Sequence, residues 1–202
     1  MTYGVNVTVA PTEEPIALAE AKAHCGVTSS DTHHDTHLSN DIVAARAHIE
    51  AFTNRAIITQ TRELIFNHFP TGSDPIYIPF VPVQSVSSIY YIDTDGNSTL
   101  WDSANYSVST TREPGEIHRA WNESWPSIRS VVDAITITYI AGYGAQAAVP
   151  YHLRAAVLLL VKHWFDNRSA VEAGAMKRVP LAVGALLDGL SVGDEFTTYG
   201  LS

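Results

Sequence analysis

The hydrophobic period of this chain changes twice, and that change limits the possible folds more than any other feature. Leu38, Ile42, Ala45, Ile49 and Phe52 recur every three or four positions. Such spacing puts them on one stripe of a helix, read here over about 38–53. From Thr59 to Ile140 the period shortens to two, carried by β-branched and aromatic residues. Six segments there read as strands: Thr61–Phe69, Ile76–Ile78, Val86–Ile92, Tyr106–Ser109, Gly115–His118 and Ala134–Ile140. In the last of them Ile135, Ile137 and Tyr139 face one side and Thr136 and Thr138 the other. Turn residues separate the segments, and Asp95-Gly96 is a hairpin signal because glycine accepts positive φ. The helical period then returns over about 150–167, where Leu153, Val157, Leu160, Val161 and Trp164 form a wide apolar stripe.

Shorter elements complete the reading. Glu13, Glu14 and Pro15 before an alanine-rich run, with Gly26 after it, mark a helix over about 15–25. Ile16, Leu18 and the alanines give it a small, close-packing face. Residues 27–37 are polar and read as a loop, in which Asp35 or Thr36 is expected to cap the second helix. Residues 168–179 read as a loop. Residues 181–190 read as a short helix with Val183, Leu186, Leu187 and Leu190 on one face. The expected fold class is α+β: a small bundle of about four helices, with a β-rich insertion between helices 2 and 3 and extended N- and C-terminal arms. A length of 202 residues allows one domain, at most two. The reading is a single domain over 1–202. Its helical part is 12–58 and 150–190, its β insertion 59–145, and its arms 1–11 and 191–202.

Composition narrows the function classes. The chain carries a formal net charge of -9, a poor basis for gripping phosphates, which takes a surplus of Lys and Arg. Cys25 is the only cysteine and reads as a small buried apolar residue. Residues 1–9 lack a basic region followed by an apolar run, so no secretory leader is expected. The longest apolar run, Ala155–Val161, is far short of the about 20 residues a membrane helix needs. The expected place of synthesis is the cytoplasm, with no membrane partner.

Three groups of residues could carry chemistry. His33, His34, Asp35 and His37 offer metal-binding atoms, yet a structural site needs several fixed ligands, and a solvated loop leading into a helix accounts for them. No Gly-x-Ser-x-Gly, His-Glu-x-x-His or phosphate-loop pattern occurs, and Gly142-Tyr-Gly144 reads as a tight strand-to-helix turn. Tyr90, Tyr91, Trp101, Trp121 and Trp125 could stack bases, but without basic companions they read as core or subunit interface. At the end of the third helix, Asp166 and Arg168 are expected to anchor the chain, with His163 beside them. No catalytic, metal or cofactor residue is assigned. A metal-dependent hydrolase using His33, His34 and His37 is the weakest of the readings kept.

Several phrases in their order resemble the tailed-phage head–tail connector (adaptor) family: Pro15-Ile-Ala-Leu-Ala-Glu-Ala-Lys22, Ala51-Phe-Thr-Asn-Arg-Ala-Ile-Ile-Thr-Gln-Thr61, Pro82-Val-Gln-Ser-Val86, Trp125-Pro126, Ile140-Ala-Gly-Tyr-Gly144 with Pro150, His163-Trp-Phe-Asp-Asn-Arg168 and Pro180-Leu-Ala-Val-Gly-Ala-Leu-Leu187. The likeness spans about 12–190. It implies a virion structural protein of the head–tail neck: a homo-oligomeric ring, twelvefold, under the portal protein. Such a ring passes genomic DNA without sequence-specific binding and carries a neck, stopper or tail protein below. It implies no catalytic residues and no cofactor. It places portal contacts in the C-terminal region, here Leu190, Phe196, Tyr199 and Leu201. The alternative within this class is a tail-completion or stopper-type protein. Those are less helical, so a helical content near two-fifths or more favours the connector.

Overall fold

The computed structural model describes residues 3–167 and 181–192, without the side chains of residues 181 and 182. The expected loop over 168–179 and most of the tail lie outside the described residues. In chain order the elements are β1 (Tyr3–Val9), α1 (Leu18–Cys25), α2 (Asp35–Thr53), β2 (Gln60–Phe66), β3 (Ile76–Ile78), β4 (Val83–Ile92), β5 (Ser98–Leu100), β6 (Tyr106–Ser109), β7 (Gly115–Arg119), β8 (Ile135–Ala141), α3 (Tyr151–Asp166) and α4 (Leu181–Leu187). The class is α+β, with the sheets inserted between the second and third helices, as expected. The chain divides into two compact units. One comprises Thr12–Ile58 with Tyr143–Ser191; the other comprises the described parts of Met1–Pro11, Thr59–Gly142 and Val192–Ser202.

The helical unit is built on the stripes seen in the sequence. Leu38, Ile42, Ala45 and Ile49 of α2 are buried with Leu153, Val157, Leu160 and Val161 of α3, Val183 and Leu187 of α4, and Ile16, Ala21 and Cys25. Burying such side chains contributes about 1.5–3 kcal/mol each, which holds the bundle together. Phe52 departs from its expected place: it is 49% exposed. At 100° per residue it falls at the edge of the α2 stripe, and Thr53 takes the inward position, returning its hydroxyl to the Ile49 carbonyl. Helix α1 begins at Leu18, three residues later than expected. Gly26 ends it at φ 74, and the Val27 N–H reaches back to the Lys22 carbonyl. Neither Asp35 nor Thr36 caps α2. His34 holds the cap position without a side-chain capping bond, and Asp35, already helical, accepts from Lys22 Nζ at 2.7 Å. A buried lysine needs that partner more than the helix needs the cap.

The other unit holds an antiparallel five-stranded sheet in the order β1-β2-β8-β4-β5 and an antiparallel three-stranded sheet in the order β3-β7-β6. In β2 and β8 every second residue is buried, which sets Ile135, Ile137 and Tyr139 inward as the alternation requires. The sequence reading missed β5, whose three residues are too few for a period to show. It also ran β2 on to Phe69, which lies beyond the strand end although its ring is buried. The β4–β5 connection turns at Gly96 with φ 95. Gly142 and Gly144 both have positive φ, 128 and 126, consistent with a turn leading to α3.

Candidate interface and comparison with known proteins

Aromatic residues expected in a core or an interface divide between the two. The Phe69 ring stacks on Trp125 at 5.1 Å and lies 5.9 Å from Trp101, which is 5.2 Å from both Trp125 and Tyr106. Tyr91 meets Phe69 edge-on. These rings join strands of both sheets with the loops between them. Trp121, by contrast, is 97% exposed, and Tyr90 is exposed as well. Tyr139 donates its hydroxyl to the Pro79 carbonyl at 2.9 Å, and burial pushes its phenol well above the ordinary tyrosine range. It is a fixed neutral strut, with no acid–base role near neutral pH.

The histidine loop is spread out. The His33 N–H donates to Asp31, the His34 ring packs edge-on against Phe165, and Asp35 is taken by Lys22. Among the described residues no three His, Cys, Asp or Glu side chains gather as a metal site. At the end of α3, Asp166 pairs with Lys162 at 2.6 Å one turn earlier; the loop it is expected to anchor lies outside the described residues. Asn167 closes the helix by donating to the His163 carbonyl. Arg168 lies outside the described residues.

Of the four C-terminal positions, only Leu190 is described; Phe196, Tyr199 and Leu201 lie outside the described residues. Leu190 packs against the helical core, and its carbonyl accepts from Arg55 Nε at 2.7 Å. Arg55 Nη1 also donates to the Tyr143 hydroxyl at 2.9 Å. Arg55 thereby ties the end of α4, where the tail begins, to the exit of α2. Sequence reading did not single out Arg55, nor its neighbour network around Arg46. That guanidinium donates to Glu14 at 2.7 and 3.3 Å and to Glu50 at 3.1 Å, while the other Glu50 oxygen accepts the Ile57 N–H. Burial works against the Arg46 charge, but the bonds to Glu14 and the charges of Glu50 and Glu14 outweigh it and raise its pKa. Glu50–Arg46 stand four apart within an apolar stripe. The signal that could have found them is a charged pair spaced to the inward face of a helix.

None of these arrangements aligns a nucleophile with a base. What they do is tie the segments of the helical unit together and leave apolar side chains on the surface. Comparison with known proteins agrees with an assembly role. No curated protein matches the chain. A chain from the neck of an empty gene transfer agent particle, computed with C6 symmetry, matches with 25% identity and a TM-score of 0.77, covering 94% of this chain and 96% of that one. A chain of the virion of the native particle matches with 24% identity and a TM-score of 0.76, covering 94% and 95%. A chain from the native neck, computed with C12 symmetry, has 24% identity and a TM-score of 0.70, covering 94% and 96%. The family model for the head completion protein matches residues 16–177, and the chain belongs to that family.

Proposed function

We propose that the chain is a head–tail connector subunit of the virion neck. The observation that carries this is the end-to-end match of both units to a neck chain, with 94% of the chain covered, joined to family membership over 16–177. As a connector it assembles into a ring of identical copies beneath the portal and offers its other side to the next neck or tail protein. The ring is twelvefold and the full chain acts as one connector domain. It catalyses no reaction. DNA passes through the lumen without sequence-specific contacts, and the acidic balance of -9 keeps phosphates from sticking to the wall.

Leu190, Phe196, Tyr199 and Leu201 are the portal contacts in this reading. The Arg55–Leu190 bond supports it, because it fixes the point from which the tail departs. Mixing the purified chain with portal rings tests the assignment. Binding is expected for the full chain and is expected to weaken on deletion of residues 191–202; unchanged binding after the deletion refutes the tail assignment. An electron micrograph of assembled particles tests the whole reading, which fails if the chain lies outside the neck. Helical content did not separate a connector from a stopper as expected. Among the described residues the helices span 8, 19, 16 and 7 residues, well under two-fifths of them, because two sheets occupy the insertion.

A further inference from the structure

We infer that copies of the chain meet side by side through two uncharged surfaces: the outward face of α2 on one copy and the exposed valines of β1 on the next. This deepens the connector reading and rests on it. A ring with more than two copies needs two unlike surfaces that meet around a closed rotation. Every copy is acidic, so a contact between copies is cheapest where neither side carries charge.

Two exposed surfaces meet that condition. On α2, the outward positions between Val43 and Phe52 are Val43, Ala44, Ala47, His48, Ala51 and Phe52. The charged residues of this stretch, Arg46 and Glu50, turn inward to each other. Val43 and Phe52 are 44% and 49% exposed, and they stand on the two rims of a bed of alanines. A bed of small residues lets a partner backbone approach closely. The second surface is β1. Residues 3–12 hold no charged side chain, and Val7 and Val9 are 47% and 56% exposed. The strand is the edge of its sheet, with β2 on one side. An uncharged edge strand bearing valines marks a surface meant for covering.

The remaining exposed apolar residues sit among charges. Trp121 lies between Arg119 and Glu123, Val131 and Val132 between Arg129 and Asp133, and Leu100, with Tyr90 paired across from it on β4, beside Asp102. Tyr151 stands one turn before Arg154, which pairs with Glu20 at 2.9 Å. Among the described residues, the large exposed apolar side chains outside such charged settings are those of the α2 face and β1.

The test uses the full chain in cells that assemble particles. Copies of the chain per purified particle are counted by mass spectrometry for the wild type, A47E and V7E. Each substitution is expected to reduce incorporation by at least about tenfold, because it buries an unpaired like charge between copies. The purified variants should keep the wild-type circular dichroism and melting curve. A44E and V9E lie on the same two surfaces and replace any variant that fails to fold. The double variant V7C/A47C, oxidised in assembled particles, is expected to give covalent chains of three or more copies, and each single variant none. Normal incorporation of a folded A47E or V7E, or the absence of covalent chains from the double variant, overturns the inference and leaves the connector reading standing. Absence of the wild-type chain from the particle overturns both.

Discussion

At the scale of single residues, two charged groups set expectations that can be measured. Arg46 is bound to Glu14 and Glu50 with its side chain 11% exposed, so removing it takes the Arg46 charge away from the buried Glu50 carboxylate. Arg46→Ala is expected to cost about 2–4 kcal/mol, discounted from a fully buried pair because Glu14 is partly solvated. Arg46→Lys should recover little of this, since a point charge cannot reproduce the forked bonds. Urea midpoints of the three proteins check both statements. Asp93 is the second case. Its carboxylate accepts the backbone N–H groups of Asn97 and Asp95 and the Thr99 hydroxyl within the β4–β5 turn. The Asn97 bond, with lesser help from Thr99 and Asp95, lowers its pKa below the ordinary carboxylate value. Its contribution is therefore complete above the unfolded value, about 3.9, and fades as pH falls through the lower folded value. Replacement by Asn should flatten the acid limb of the stability–pH curve; an unchanged limb would exclude the turn as its source.

Elements fail or hold according to how their ends and inward faces are satisfied. Gly96 turns the β4–β5 hairpin at φ 95, and an added Cβ would stand 2.5 Å from the Arg129 guanidinium. Gly96→Ala is expected to cost about 1–3 kcal/mol, from the backbone strain of a left-handed residue. Its effect should appear as earlier thermal unfolding, with the helical circular dichroism unchanged before the transition. Trp101 lies at the centre of the aromatic cluster and is 5% exposed. Trp101→Ala should cost about 3–5 kcal/mol, the range for a large buried aromatic. Near-ultraviolet circular dichroism of the variant is expected to lose much of its aromatic signal, because the stacked partners Phe69 and Trp125 lose their wall.

For the whole molecule, the acidic balance and the uncharged contact surfaces make one joint prediction. Copies that repel through net charge and attract through apolar faces should associate more strongly as salt rises from about 0.05 to 0.15 M, where the screening length shortens to about 8 Å. A ring held by ion pairs between copies would weaken instead. Light scattering of the assembled ring across that range distinguishes the two.

Apart from the three-residue β5, the sequence by itself determined the order and kind of the elements, because a stripe of period three to four and an alternation of two follow from local backbone geometry. Ile135, Ile137 and Tyr139 of β8 and the inward stripe of α3 were legible for that reason. The order of the phrases from Pro15 to Leu187 made the family legible too. Only the tertiary structure decided which polar residues would be buried and which apolar ones left outside. Arg46 and Arg55 acquired partners from segments remote in sequence, at Glu14, Tyr143 and Leu190. Phe52 and Trp121 were left in solvent, although their residue type favours a core. The physical reason is that periodicity is a property of neighbours along the chain. Burial of a particular charge, or exposure of a particular ring, is settled by what the rest of the fold brings against it.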